Sequence, residues 1–279
     1  MPVRIVTDSA ADLSASDVSE LGVEVVPLSI RFGDKEYTDG VDLTVEDFYA
    51  KLASSGDLPE TAAPSPGAFE AAFRRQGEAG ADAVVCVNLS SGLSATIQAA
   101  QNAATAVAGD LDVRVVDSLS ITSGLGTHVR EAAKAAAGGA SADDVVALVE
   151  GLVPRTRVYG ALDTLENLRK GGRIGAAQHL LGSLLSIKPL IDLSDGVVAE
   201  AGKARTRRKG LEWLRDRVFE QPAVEHLTIA HGMAPDVDAM LDLLAPRYAR
   251  DDIAVTTIGA TIGTHGGPRV MGVTWVAPA

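Results

Sequence analysis

The chain has 279 residues, 46% of them hydrophobic, and a formal net charge of −12. That is enough apolar material for one large domain or two modest ones, and the acidic balance argues against general nucleic-acid binding. A single cysteine, Cys86, excludes an internal disulfide, and no apolar run approaches the ~20 residues that span a bilayer, so an integral membrane protein is not expected.

In chain order, "VRIV" (3–6) predicts a strand. "SASDVSEL" (14–21) predicts a helix closed by Gly22. "VEVVPLSIRF" (23–32) reads as a strand region, and "TVEDFYAKLASSG" (44–56) as a helix opened by a capping-box-like Thr44/Asp47 pair. A helix with Ser65 as N-cap and Pro66 in its first turn runs toward Gly80. "AVVCVN" (83–88) and "VRVVD" (113–117) predict short buried strands, with a helix near 94–107 between them and Cys86 as an inert buried thiol. This β-α-β-α rhythm predicts a parallel sheet with helices on both faces, a three-layer α/β/α unit.

The texture changes near residue 150. "SADDVVALVEGL" predicts a helix broken at Pro154. Beyond it, "TRVYGAL", "SIKPLIDL", "VVAEAG", "HLTIAHG", "IAVTTIG" and "RVMGVTWVA" alternate apolar and polar residues, with a hairpin turn at "SDG" (194–196). A second α/β domain with a mixed or antiparallel sheet is expected, dividing the chain into 1–153 and 154–279. The charge divides unevenly: residues 1–150 hold nine basic and 23 acidic side chains. Much of the positive charge of the remainder lies in "GKARTRRKG" (202–210), which reads either as a solvated helix start or as an anion or partner site. The first residues carry no charged-then-apolar leader, so a cytoplasmic location is expected.

Common catalytic signatures are missing. "GKA" (202–204) lacks the earlier Gly and the following hydroxyl of a P-loop, and "GLSAT" (92–96) lacks the second glycine of a nucleophile elbow. The five histidines show no HxH or HExxH spacing, so neither a metal site nor a cofactor is expected. What stands out instead is a set of small polar clusters after predicted strands: "TDSAADL" (7–13), "TAAPSPG" (61–67), "NLSSGLSAT" (88–96), "DSLSITSGLG" (117–126) and "TIGTHGG" (261–267). Hydroxyls and free helix amides at strand ends favour a negative ligand. Ordinary helix capping explains any one cluster, with Ser94 the best candidate cap.

The ordered set "VTDSAADL", "TAAPSPG", "LSSGLSATIQAA", "VVDSLSITSGLG", "LENLRKGGRI", "LLSIKPLI", "GKARTRRKG" and "IGTHGGP" resembles the DegV family, the bacterial fatty-acid-binding proteins that include the FakB subunits of fatty acid kinase. The resemblance covers about residues 3 to 276. It implies a two-domain α/β fold with one long-chain fatty acid bound between the domains. The carboxylate would meet Thr61, Ser91 or Ser94, the neighbouring amide of Ala95, and His265. It also implies, in FakB-type members, phosphorylation of the bound acid by a separate ATP-dependent kinase subunit, FakA. Arg173, Lys203 and Arg205 would then serve the carboxylate end or the kinase contact. A carrier or sensor without a kinase, and a Ser/His265 acyl hydrolase, are the alternatives. Three positions depart from the family pattern: Ala62 removes a hydroxyl, Ala95 replaces a glycine, and Arg269 stands where a third glycine is usual. The segment 176–191, rich in Leu and Ile, is expected either to line the acyl pocket or to be plain core.

Overall fold

A computed structural model describes residues 2–180 and 187–279. The first part of the chain forms β1 (Val3–Asp8), α1 (Ala15–Leu21), β2 (Glu24–Val26), β3 (Ser29–Phe32), β4 (Lys35–Thr38) and α2 (Val45–Ser54). It continues with β5 (Glu60–Ala62), α3 (Pro66–Glu78), β6 (Ala83–Asn88), α4 (Thr96–Val107), β7 (Asp112–Asp117), α5 (Thr122–Ala137) and α6 (Ala142–Leu152). The remainder forms β8 (Thr156–Ala161), α7 (Glu166–Lys170), β9 (Lys188–Asp192), β10 (Ala199–Ala204) and α8 (Arg207–Phe219). The last elements are β11 (Glu225–His231), α9 (Val237–Leu244), β12 (Ala254–Thr257), α10 (Ala260–Gly266) and β13 (Met271–Val276).

The helix starts follow from local chemistry. Ser14 and Ser141 each accept the N–H three residues on and receive a carboxylate in return, complete capping boxes. Thr44 makes only the first half, accepting from the Asp47 N–H at 3.1 Å. Gly22 closes α1 at φ 62°, a conformation that costs glycine little.

The first-half strands form a parallel sheet, β2-β1-β6-β7, as the β-α-β rhythm predicts. β6 is buried along its whole length, consistent with helices over both faces. On one face α3 and α4 pack Phe69, Phe73, Ala100 and Ala103 against Val84 and Cys86. On the other, α5 and α6 bring Leu125, Val129, Val145 and Val149 against Ile5, Val85 and Val87. Burial holds the Cys86 thiol well above its ordinary pKa, as expected of an inert core residue.

The second sheet is mixed, with order β10-β9-β8-β13-β11-β12; only β11 and β12 run parallel. The "SDG" turn joins β9 to β10 as an antiparallel hairpin, with Gly196 at φ 77°. Strand alternation gives this sheet two dissimilar faces. Tyr159, Ala161, Met271, Val273 and Trp275 pack under α8 and α9. Val158, Gly160, Gly272 and Thr274 face the other way and line a cavity. Between the two sheets lies α5, buried from Thr122 to Val129, so both halves contribute to one continuous apolar cluster.

The run 23–32 is two strands in different sheets: β2 joins the parallel sheet, and β3 pairs with β4 and β5 in a small antiparallel sheet that the sequence reading lacked. Pro27, between them, donates no N–H and favours the break.

Candidate functional site

A cavity runs between the two sheets. Its volume open to the centres of water-sized spheres is about 100 Å³, several times the ~10–15 Å³ that holds one water. The walls are apolar side chains from both halves, among them Leu89, Leu93, Ile121, Leu162, Ile191 and Ile258. Gly160 and Gly272 sit opposite each other on β8 and β13 in the floor, with Ile191 packed close to Gly160. Arg173 is the one permanently charged side chain among the described residues of the lining, and no acid joins it.

Four of the five polar clusters meet here. Thr61, Ala62 and Ala63 come from the end of β5; Leu93 and Ser94 from the loop before α4; Ile121 and Thr122 from the start of α5; Thr261, Ile262 and His265 from α10. The first cluster does not reach the cavity. Asp8, Ser9 and Asp12 line an adjacent cleft, where they hold neighbouring elements in place. Asp8 accepts from the Ala10 and Leu89 N–H groups and from Asn88 Nδ2.

His265 and Thr61 form the polar end. Their Nε2 and Oγ1 atoms are 3.0 Å apart, although 204 residues separate them in sequence. His265 Nδ1 is buried with no hydrogen-bond partner among the described residues and faces the backbone of Gly171: a Cβ there would lie 2.3 Å from it. Burial, and then the charge of Arg173, push the imidazole pKa down to about 4, so the ring is neutral at pH 7. A proton on Nε2 leaves an acceptor rather than an N–H unpaired at Nδ1. Nε2–H then donates to Thr61 Oγ1, and the Thr61 O–H is free to donate to an anionic ligand. Arg173 is fixed beside this pair by bonds to Leu93 O (3.3 Å) and Gly171 O (2.7 Å).

The helix that carries His265 was not legible in the sequence. "TIGTHGG" stands out only as a small polar cluster after a strand, yet residues 260–266 form α10. Its start is held from the other half of the chain: Asp12 Oδ1 accepts from Gly259 N–H at 3.0 Å, and Asp39 accepts the Thr261 hydroxyl at 2.6 Å. The same acids crowd one another away from water. Burial, followed by their mutual repulsion, raises Asp8 to about 6 and Asp12 to about 8; burial also raises Asp39. Gly263 lets α10 press against Phe48 and Tyr49, where a Cβ would come within 2.6 Å of the tyrosine hydroxyl.

The remaining predicted residues fall in different places. Ser94 lines the cavity but does not cap α4; the cap position is Ala95, and Ser94 Oγ instead accepts from Thr96 N–H and lies 2.8 Å from the Thr96 hydroxyl. Ser91 is exposed outside the lining and its N–H points to Asp117. Ala95 is exposed with φ −79°, a conformation that any residue adopts, so the lost glycine costs nothing there. Lys203 and Arg205 are exposed on and just beyond the edge strand β10, away from the cavity. Arg269 sits at φ 62°, in the left-handed region that favours glycine, and its side chain turns to Asp163 at 3.4 Å. Of the run 176–191, Ile191 lines the cavity and Leu190 packs on the opposite face of the sheet; 181–186 lie outside the described residues.

Comparison with known proteins agrees with this architecture. The family profile described as "Uncharacterised protein, DegV family" matches residues 2–278. The chain belongs to the DegV family. It is 37% identical over 275 residues to a DegV domain-containing protein of Streptomyces coelicolor, covering 97% of both chains. The structure superposes with TM-score 0.91 at 32% identity, over 100% of both chains, on a DegV family protein from Thermus thermophilus described for its fatty acid binding. It also matches DegV of Bacillus subtilis, described as a fatty acid binding protein, with TM-score 0.85 and 27% identity over 100% of both chains. Among the described residues, no helix is long and apolar enough to cross a membrane.

Proposed function

We propose that this DegV protein binds one long-chain fatty acid in the channel between its sheets, with the carboxylate at Thr61 and His265 beside Arg173. The observation that carries the reading is the asymmetry of the lining: apolar walls along the channel, and one end furnished with a hydroxyl donor, a neutral imidazole and a lone cation. Each buried methylene contributes roughly 0.8 kcal/mol, on the order of 10 kcal/mol for a long chain, before the cost of association is subtracted. A carboxylate brought into such a channel needs partners, and Thr61, His265 and Arg173 supply them. The fatty-acid-binding relatives from Thermus thermophilus and Bacillus subtilis support the same ligand class.

The protein acts as a carrier in this reading. A hydrolytic Ser/His pair has no support: Ser94 Oγ is engaged with Thr96, His265 Nε2 with Thr61, and His265 Nδ1 faces Gly171 rather than an orienting carboxylate. Presentation of the bound carboxylate to an ATP-dependent kinase subunit rests on the FakB resemblance, with exposed Lys203 and Arg205 as the candidate contact. Mass spectrometry of the purified protein, native and after organic extraction, tests the ligand class. A stoichiometric long-chain fatty acid is expected. A protein that is empty and takes up no added fatty acid overturns the reading.

A further inference from the structure

The polar groups of the channel are almost all accounted for. Thr61 is bonded to His265, Ser94 to Thr96, Thr261 to Asp39, and Arg173 to two carbonyls. Two lining hydroxyls, those of Thr122 and Thr274, are buried with no hydrogen-bond partner among the described residues. The Thr122 hydroxyl faces the Asp12 carboxyl group, which gives it a polar neighbour. The Thr274 hydroxyl makes no hydrogen bond to any of the described residues: its residue is 2% exposed, and its side chain projects from the middle of β13 into an apolar channel. A buried hydroxyl without a partner is costly, and valine would fill the same space without that cost. The neighbouring Thr228, opposite it on β11, shows the ordinary solution, a bond from its hydroxyl to a backbone carbonyl.

The position of Thr274 is as informative as its orphaned hydroxyl. Val270 packs against Gly266, next to His265, and so marks the polar end of the channel. Thr274 lies four positions beyond Val270, which immediately precedes β13, an extended distance of about 13 Å. An extended chain advances ~1.2 Å per bond, so Thr274 stands roughly ten bonds beyond the head group.

Building on the fatty-acid reading, we infer that Thr274 is a specificity-determining residue that selects acyl chains carrying an oxygen substituent, hydroxyl or keto, near mid-chain. The Thr274 hydroxyl donates to that oxygen or accepts from it, and so gains the partner the protein does not provide.

The test compares octadecanoic acid with its derivative hydroxylated at about the tenth carbon, on the wild type and on Thr274→Val, by displacement of a fluorescent fatty acid. The wild type is expected to bind the hydroxylated chain roughly five- to tenfold tighter. Thr274→Val is expected to lose that preference, binding the two chains with equal affinity. Equal affinities for both chains in the wild type, or an undiminished preference in Thr274→Val, overturn the inference and leave fatty-acid binding intact. Binding of neither chain by a folded wild type instead overturns the fatty-acid reading itself.

Discussion

Gly171→Ala isolates the role of His265 without touching it. The backbone at Gly171 has φ −76° and ψ −3°, open to any residue, so alanine introduces no strain of its own. Its methyl group would lie 2.3 Å from His265 Nδ1, 2.8 Å from Cε1 and 3.1 Å from Asn167 O. Comfortable contacts begin near ~3.5 Å, so the ring must retreat by about 1 Å. Nε2 lies across the ring from Nδ1, so this shift drives it out of the 3.0 Å geometry of its bond to Thr61. Thr61 then loses the partner that directs its proton to the ligand. A hydrogen bond to a charged group contributes about 1.5–3 kcal/mol, which converts to a roughly ten- to hundredfold weaker affinity. The assay is displacement of a fluorescent long-chain fatty acid, with thermal unfolding measured in parallel. Gly109→Ala, where a Cβ meets nothing within 4 Å, is the control. Unchanged affinity in a normally folded Gly171→Ala protein would refute the placement of the head group at His265.

Thr61→Val, which keeps the shape and removes the hydroxyl, should weaken fatty-acid retention by about tenfold; a competition assay giving wild-type affinity would remove Thr61 from the site. Asp12→Asn should flatten the dependence of stability on pH. The folded-state pKa of Asp12, about 8 against 3.8 for the free side chain, means that the folded protein holds a proton the unfolded chain releases. Stability is therefore present in full below pH 4 for this group and is lost as pH rises toward 8. Asparagine tolerates the φ of 48° at this position and keeps an oxygen for Gly259 N–H. The variant should gain about 1–3 kcal/mol over wild type at pH 8, and identical melting curves from pH 5 to 8 would refute the account of the acid cluster. Gly92→Ala should loosen the seam between the two halves, because its Cβ would lie 2.6 Å from Val197 Cγ1 and 2.8 Å from Gly196 O. A loss of about 1–3 kcal/mol is expected, and an unchanged melting temperature would show that the seam yields without cost.

The neighbouring cleft belongs to the same physical account. Asp12 and Asp39 lie in it, yet they serve the channel by holding the first turn of α10 and, through that helix, His265. A short helix containing two glycines has weak intrinsic stability. It forms here because residues 12 and 39 cap it and Phe48 and Tyr49 cover it.

Local chemistry was enough to read much of this protein from its sequence. The caps at Thr44 and Ser65, the fully buried β6 and the hairpin at Gly196 are all set by residues within a few positions of one another. The β-α-β order implied the parallel sheet, and alternation in the second half implied a sheet with two unlike faces. Four of the five polar clusters that the sequence singled out do line one cavity. Other features depend on residues far apart in the chain. The Thr61–His265 pair spans 204 residues, and the caps of α10 come from more than 200 residues upstream. Whether Ser94 or Ser91 faces the cavity depended on where α4 began. The unpaired hydroxyl of Thr274 is ordinary in a strand sequence and exceptional only because the sheet turns it toward an apolar channel. Periodicity and capping act over a few residues and are written in sequence. Solvent exclusion, shifted pKa values and unpaired polar atoms arise only when distant segments close around one another.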